Sequence, residues 1–269
     1  KGFTLIELLV VVAIIGVLAA VGVVAFNGFI SSSKNTACQA EHNNRSKSAQ
    51  LKISENMLNG QKVDIRVIDL GQKSYNEVWN LQKEMQSKRM AGEIDDLLIL
   101  VEHDPVYTLG KNADVNHLLQ NRDRSVEVFN VERGGDITFH GPGQLVGYPI
   151  LNLVNYKKSV NWYMRSLEQL TIDVLGEFGI SAKRVKGLTG VWVGDKKIAA
   201  QGVRLTRWVT MHGFSINVNT DLSYYDGIIP CGIFDHGVTS MEELLGSTQK
   251  IRKVRTLVID KFNQIFLRN

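Results

Sequence analysis

Residues 8–26 form a run of nineteen consecutive apolar or glycine residues, LLVVVAIIGVLAAVGVVAF. No soluble domain readily buries so long a stretch on all sides. At the α-helical rise it extends about 28 Å, close to the thickness of a bilayer's hydrocarbon core. It is too long for the core of a signal peptide, and no small-residue cleavage pattern comes after it. One long apolar N-terminal helix, anchored in a membrane through residues 3–30, is therefore the expectation for the start of the chain. Residues 31–60 shift to Ser, Lys, Asn and Gln, which reads as the end of that helix and then a linker.

The first residues add a sharper feature. Glu7 interrupts an otherwise apolar helix, and a carboxylate in that setting implies a partner. The run Gly2-Phe3-Thr4-Leu5-Ile6-Glu7 resembles the processing site of type IV pilins. In that family the leader is cut before the Phe, and the Glu pairs with a neighbouring subunit's amino terminus. The resemblance covers residues 1–44, which leaves 45–62 as linker and 63–269 as a separate domain. A pilin-type anchor would carry its C-terminal domain out of the cytoplasm. The second domain has the character of a cytoplasmic protein, so the two halves conflict. The conflict, and a start at Lys1 without Met, point to a fused, truncated, misassembled or engineered reading frame.

The second domain has the composition of a globular protein with a core: the chain is 44% hydrophobic and 22% charged. Net charge is +4, shared evenly between residues 1–60 and the rest. That is too mild for a nucleic-acid-binding face, and no nucleic-acid-binding signature accompanies it. Two cysteines, Cys38 and Cys231, give no disulfide framework, so the domain reads as one from a reducing compartment, the cytoplasm. Cys38, in the polar stretch 31–60, reads as an ordinary surface or helix thiol. No His/Cys cluster has metal-site spacing.

Periodicity within residues 63–269 gives a mixed set of elements. Residues 64–70 read as a strand. Ser74 and Glu77 open a helix with a capping box, and Val78, Leu81 and Met85 recur along it. Residues 97–101, LLILV, are a fully apolar run of the kind found in a buried central strand. Residues 126–131 read as a strand and 160–178 as a helix, with Leu167, Leu170, Val174 and Phe178 on one stripe. Further strands fall at 191–193, 197–205 and 209–218, with a Gly194-Asp195 turn after the first. Ser240 and Glu243 suggest a capped turn, and Val254, Leu257, Val258, Phe262 and Ile265 mark a final amphipathic helix. Without a strict βαβ rhythm, the fold class is α/β with a mixed sheet.

Four segments carry chemistry. The first is Arg133-Gly134-Gly135-Asp136-Ile137-Thr138-Phe139-His140-Gly141-Pro142-Gly143-Gln144. So many glycines are costly to order, and are tolerated where a backbone approaches something closely. A turn-rich corner between strands explains the spacing equally well, and it matches neither a phosphate-binding loop nor a dinucleotide fingerprint. The second is Gly194-Asp195-Lys196-Lys197-Ile198-Ala199-Ala200-Gln201-Gly202-Val203-Arg204. Any single lysine is by default exposed. Lys196 suits solvent, and Lys197 faces inward if the pleat phase agrees. The third is His212-Gly213-Phe214-Ser215-Ile216-Asn217, whose histidine reads by default as a structural hydrogen-bonder. The fourth is Ile228-Ile229-Pro230-Cys231-Gly232. Free cysteine is more often an inert core residue, but a thiol in a rigid turn beside an ammonium can become a nucleophile.

Together these segments, as RGGDITFHGPGQLVGYP, GVWVGDKKIAAQGVR, MHGFSINVN and IIPCG, resemble the octanoyl-carrier-protein:protein octanoyltransferases of lipoate biosynthesis. The resemblance covers residues 64–267. It implies an α/β fold of the biotin/lipoate protein ligase type, with the site over the sheet. It implies that Cys231 is the nucleophile that holds the acyl group as a thioester. Lys197 then lowers the thiol's pKa and assists proton transfer. Arg133, Gly134, Gly135, Asp136, Ile137, Thr138, Phe139 and His140 would line the acyl and carrier site. Ala200, Gln201 and Gly202, with Gly213, Phe214 and Ser215, would form two further substrate-contacting turns, and His140 and His212 would position groups beside the site. Gln201 departs from the family, which often carries an apolar residue there.

The implied reaction needs no metal, nucleotide or other cofactor. Its partners would be octanoyl-acyl carrier protein as donor and lipoyl domains of 2-oxoacid dehydrogenase complexes and the glycine cleavage H protein as acceptors. The basic groups Lys250, Arg252, Lys253 and Arg255, with Lys183, Arg184 and Lys186, are candidates to face acidic carriers, though ordinary solvated faces explain each cluster as well. Two other readings compete: an ATP-dependent lipoate or biotin protein ligase of the same fold, and a pilin-like structural subunit with a passenger domain.

Overall fold

Leu97, Leu98, Ile99, Leu100 and Val101 are all fully buried, and the reason lies in how the sheet is covered. The computed structural model describes residues 65–229 and 236–267. The expected N-terminal helix and linker, and Cys231, lie outside the described residues. The described residues lie within one unit, Asp64–Asn269. Among them no helix is long and apolar enough to cross a membrane.

In chain order the elements are β1 (Arg66–Lys73), α1 (Tyr75–Ala91), β2 (Leu97–His103), β3 (Val106–Leu109), β4 (Glu127–Asn130), β5 (Ile137–His140) and β6 (Gln144–Ile150). Then come α2 (Val160–Gly176), β7 (Lys183–Val185), β8 (Leu188–Val193), β9 (Lys196–Thr206), β10 (Val209–Asn217), α3 (Met241–Leu245) and α4 (Ile251–Phe266). Seven strands form one sheet in the order β1-β2-β6-β10-β9-β8-β7, and β4-β3-β5 form a second, smaller one. In the large sheet β1 and β2 are parallel and the other pairings antiparallel. The mixed sheet expected from the sequence is therefore present.

The two faces of β2 serve two cores. Leu97, Ile99 and Val101 pack with Val78 of α1 and with Val146, Tyr148 and Met211. Leu98 and Leu100 pack on the opposite side with Leu167, Leu170 and Val174 of α2 and Val254, Val258 and Phe262 of α4. A strand covered on both faces needs no polar alternation. The small sheet has its own core of Tyr107, Leu109, Ile137, Phe139, Tyr225 and Ile228.

Local signals place the helix ends. Ser74 Oγ accepts from the Glu77 N–H at 3.4 Å and Ser240 Oγ from the Glu243 N–H at 3.1 Å, as N-caps should. Helix α2 is shorter than its periodicity suggests. It stops at Gly176, and Gly179, at φ +73°, turns the chain so that the Ile180 N–H donates to the Leu175 carbonyl. Phe178 therefore packs on the core from a connection, beyond the helix.

Candidate functional site

Small residues face each other across the middle of the large sheet. In the β9–β10 ladder Gly202 is opposite Gly213 and Ala200 opposite Ser215, while Ser215 is also opposite Val146 of β6. With no bulk on this face, a cleft remains between it and the segment 133–140. The cleft is lined from β9 by Ala200, Gln201 and Gly202, and from β10 by His212, Gly213, Phe214 and Ser215. Arg133, Gly135, Asp136, Ile137, Thr138 and His140 close it from one side, and Tyr75, Val146 and Tyr148 complete the wall.

Most of the residues singled out in the sequence thus meet at one place. Gly134 and Phe139 are not among the lining residues. The Gly134 N–H donates to the Val203 carbonyl at 2.9 Å and ties the loop to β9. Phe139 packs into the small-sheet core, stacked on Tyr224 with centroids 4.6 Å apart. The segments Ala200–Gly202 and Gly213–Ser215, expected as turns, lie inside strands and are paired with one another. Glycine mimics a turn signal in sequence. Here it lets backbones meet: a Cβ on Gly213 would sit 2.2 Å from the Gly147 carbonyl oxygen.

Register also corrects the place of Gln201. It is opposite Phe214, so the two side chains share a face. Phe214 belongs to the core beneath α2 and α4, as do Ala199 two residues before Gln201 and the flanking Val203. Gln201 and Phe214 therefore border the cleft with backbone, and their side chains point to the other side of the sheet. The Gln201 carboxamide is buried there with neither end atom hydrogen-bonded to a protein group.

Lys197 faces the opposite way, and a bulge is the cause. Trp192 pairs with Lys197, but Val191 pairs with Ala199, so β9 carries one extra residue at this point. Without it Lys197 would share a face with Ala199 and Gln201. A bulge re-aims side chains in this manner. Lys196 stays exposed and pairs with Glu243, whereas Lys197 is 6% exposed. The Lys197 ammonium stands 4.9 Å from the centre of the Trp192 ring, within cation–π range. Lys197 lines a second, smaller cavity with Thr138, Ala200, Ser215, Asn217 and Tyr225. Thr138, Ala200 and Ser215 border both spaces, so the lysine's cavity adjoins the cleft. Its backbone is held by the Gly237 carbonyl and the Thr239 N–H. These anchors come after the 230–235 segment in sequence. Ile229, which precedes that segment, donates to the His117 carbonyl.

The cleft's polar groups are fixed. The Arg133 guanidinium donates to the Thr108 carbonyl at 2.6 Å, to Thr108 Oγ1 at 2.8 Å and to the Gly134 carbonyl at 3.1 Å. Its side chain crosses Gly202, where a Cβ would be 3.0 Å from Arg133 Cδ. Asp136 is spent on structure: its carboxylate accepts from the Asp114 and Ile137 N–H groups and pairs with His117 at 2.5 Å. His140 Nδ1 lies 2.6 Å from Gln144 Oε1, and its ring stacks with Tyr75 at an interplanar angle of 6°. His103 bridges the Lys73 carbonyl and the Tyr148 hydroxyl.

Burial keeps these rings neutral. Desolvation pushes His140 and His212 down to about 3, and His103 down to about 4. A proton on His103, together with the Arg133 charge, would push His140 further the same way. Desolvation also raises the Tyr75 and Tyr148 phenols, which stay protonated. His212 holds a left-handed backbone, φ +59°, a strain that the Gln82 carboxamide helps fix by accepting its N–H at 3.0 Å. The result is a guanidinium and the committed Asp136 carboxylate among neutral rings and apolar walls.

Sequence reasoning missed Tyr75, Val146, Tyr148 and His103. Tyr148 sits within the QLVGYP run and Tyr75 directly after the Ser74 cap. Neither position has a periodic signal that marks it for a cleft. The basic cluster considered for docking is partly committed elsewhere: Arg255 pairs with Asp69 and Glu102, Arg184 with Glu168, and Lys253 lies over Phe178.

Known proteins resemble the chain in both sequence and fold. Residues 74–263 match the lipoyl protein ligase A/B catalytic domain, and residues 1–23 match the prokaryotic N-terminal methylation motif. The chain is 44% identical over 201 residues to an octanoyltransferase of Gloeobacter violaceus, spanning 74% of this chain and 89% of that protein. It is 47% identical over 204 residues to an octanoyltransferase of a Thermoanaerobacter species, with the same coverage. Among solved structures, a lipoate-protein ligase A bound with ATP superposes with a TM-score of 0.59 at 16% identity, covering 76% of this chain and 85% of that one. A bi-partite lipoate protein ligase from Thermoplasma acidophilum gives 0.56 at 14%, covering 76% and 84%. At such identities the structural likeness concerns the fold.

Proposed function

Since the chain belongs to the lipoyl protein ligase A/B catalytic domain family, we propose that its cleft transfers an octanoyl group from octanoyl-acyl carrier protein to a lysine of a lipoyl domain, through a thioester on Cys231. The chain is an acyltransferase, as its octanoyltransferase relatives are named. One observation carries the finer reading: the bulge in β9 turns Lys197 into a cavity that adjoins the cleft.

The Cys231 thiolate attacks the carbonyl carbon of the carrier's thioester. A C–S bond forms, the carrier's C–S bond breaks, and the carrier leaves as its thiol once protonated. One thioester replaces another, so this step is nearly balanced in energy. The acceptor lysine's amine then attacks the acyl-enzyme. A C–N bond forms, the Cys231 thiolate departs, and Lys197, left as a neutral amine once its ammonium has protonated the carrier's thiolate, takes the acceptor amine's proton. The Lys197 ammonium favours the thiolate by charge. Arg133 and the buried phenols supply donors near the carbonyl. Ile137, Val146 and Ala200 give the chain apolar contact, and each buried methylene contributes about 0.8 kcal/mol. Acceptors of this type include lipoyl domains of 2-oxoacid dehydrogenases and the glycine cleavage H protein.

We assign the chain as a pilin-like segment over 1–44, a linker over 45–62 and the transferase over 63–269, with the transferase working in the cytoplasm. The test is transfer from octanoyl carrier protein to a lipoyl domain without ATP. Wild type is expected to be active, and Cys231→Ser and Lys197→Ala inactive. Activity that survives Cys231→Ser and requires ATP would establish a ligase instead.

A further inference from the structure

If Lys197 acts as proposed, the groups that fix its side chain are part of the machinery. Its stem lies over Gly190 on β8. A Cβ there would be 3.1 Å from Lys197 Cε, 3.3 Å from Cδ and 3.0 Å from the Ala199 carbonyl oxygen. Gly190 also has φ +126°, a backbone state that residues with a Cβ rarely adopt. The β7–β8 register shifts nearby, between Lys183 and Val185. There the Gly190 N–H donates to Glu168 Oε1 of α2 at 3.4 Å.

Glu168 is unusual in its own right. Its side chain is 2% exposed. A carboxylate so buried is costly unless paired. Arg165 donates to its Oε2 at 2.7 Å and Arg184 at 2.9 Å. Arg184 is braced in turn by the Arg165 carbonyl and Gln169 Oε1. The two guanidiniums hold one oxygen and leave the other directed at the glycine under the lysine.

We infer that Glu168 is a positioning residue for Lys197: it holds Gly190 in the backbone state that leaves room for the lysine's stem. The inference rests on the role proposed for Lys197. Glu168 takes no proton and touches no substrate. Its influence runs through the backbone of β8.

The experiment is steady-state octanoyl transfer by the full chain carrying Glu168→Gln, Gly190→Ala, both together, or Lys197→Ala. Misplacement of a reacting group by about 1 Å can cost about a hundredfold in rate. Glu168→Gln and Gly190→Ala are therefore each expected to lower kcat about ten- to a hundredfold, with KM for donor and acceptor within about twofold. Because both act through one backbone segment, the double variant is expected to lose little more than Gly190→Ala alone. Full kcat in either single variant, a loss confined to KM, or losses that multiply in the double variant would overturn the inference. If Glu168→Gln fails to fold, Glu168→Asp decides, since it keeps the charge beside Arg165 and Arg184 but draws the carboxylate back from Gly190: a lowered kcat with unchanged KM supports the inference, and full kcat overturns it. Full activity in Lys197→Ala would instead overturn the role of Lys197 itself. An inactive Lys197→Ala beside a fully active Gly190→Ala would remove the positioning role alone.

Discussion

Replacing Gln201 by Leu should make the protein more stable. Its carboxamide lies on the core face of β9, flanked by Ala199 and Val203 and opposite Phe214, and no protein group bonds its Oε1 or Nε2. A buried polar group left unbonded costs about 1–3 kcal/mol. Leucine removes that cost at similar size and adds apolar contact with the core under α2. The expected gain is thus about 1–3 kcal/mol. For a domain of about 200 residues each kcal/mol moves Tm by about 2–4 °C, so Tm should rise by about 2–12 °C. Thermal and urea unfolding of Gln201→Leu beside wild type measure this directly. Gln201→Glu is the control, and should destabilise because it buries a charge. A lower Tm for Gln201→Leu, or an unchanged Tm with a raised KM for the octanoyl donor, would show the side chain facing the cleft and refute the assigned register.

Further outcomes concern the cleft's groups. The neutral histidines make stability depend on pH. Their folded pKa values, about 3 for His140 and His212 and about 4 for His103, lie below the unfolded value, so the unfolded chain binds more protons in between. Stability should be full above about pH 6.5 and fall by on the order of 1–4 kcal/mol per pH unit toward pH 4. Three of the six histidines should show no NMR titration above about pH 5, and six ordinary titrations near pH 6.5 would contradict this. Gly213→Ala should cost about 3 kcal/mol or more, because its Cβ would meet the Gly147 carbonyl oxygen at 2.2 Å and neither backbone can yield. Denaturant melts would reveal it, and a stable alanine variant would disprove the strand contact. Arg133→Lys keeps the charge but loses the paired donation to Thr108. It should reduce stability by about 1–3 kcal/mol and lower kcat/KM, and wild-type kinetics would remove Arg133 from the site.

Much of the scaffold is legible in the sequence because its causes are local. The apolar run at 97–101 sits in a strand covered on both faces, Ser74 and Ser240 cap the helices they precede, and Val254, Val258 and Phe262 bury the last helix. The inward Lys197 is legible as a condition on pleat phase, but the bulge that meets the condition is not. One extra residue in β9 has no periodic mark, since it exists only relative to β8. For the same reason Gln201 reads as a cleft residue when its partner Phe214 places it on the other face. The paired glycines Gly202 and Gly213 read as turns because sequence shows glycine's freedom and hides its use in close packing. Tyr75 and Tyr148 join the cleft from α1 and β6, with His103 of β2 bonded to the Tyr148 hydroxyl behind them, and no spacing along the chain predicts that convergence.

The covalent intermediate gives the sharpest test. Purified full chain is mixed with octanoyl carrier protein in the absence of ATP, and intact mass is recorded before and after a lipoyl domain is added. The expected result is a protein heavier by one octanoyl group, mapped by peptide sequencing to Cys231 and absent in Cys231→Ser, which is discharged when the lipoyl domain arrives. An unmodified chain that still octanoylates the lipoyl domain, or an acyl group on any other residue, would contradict a thioester carried by Cys231.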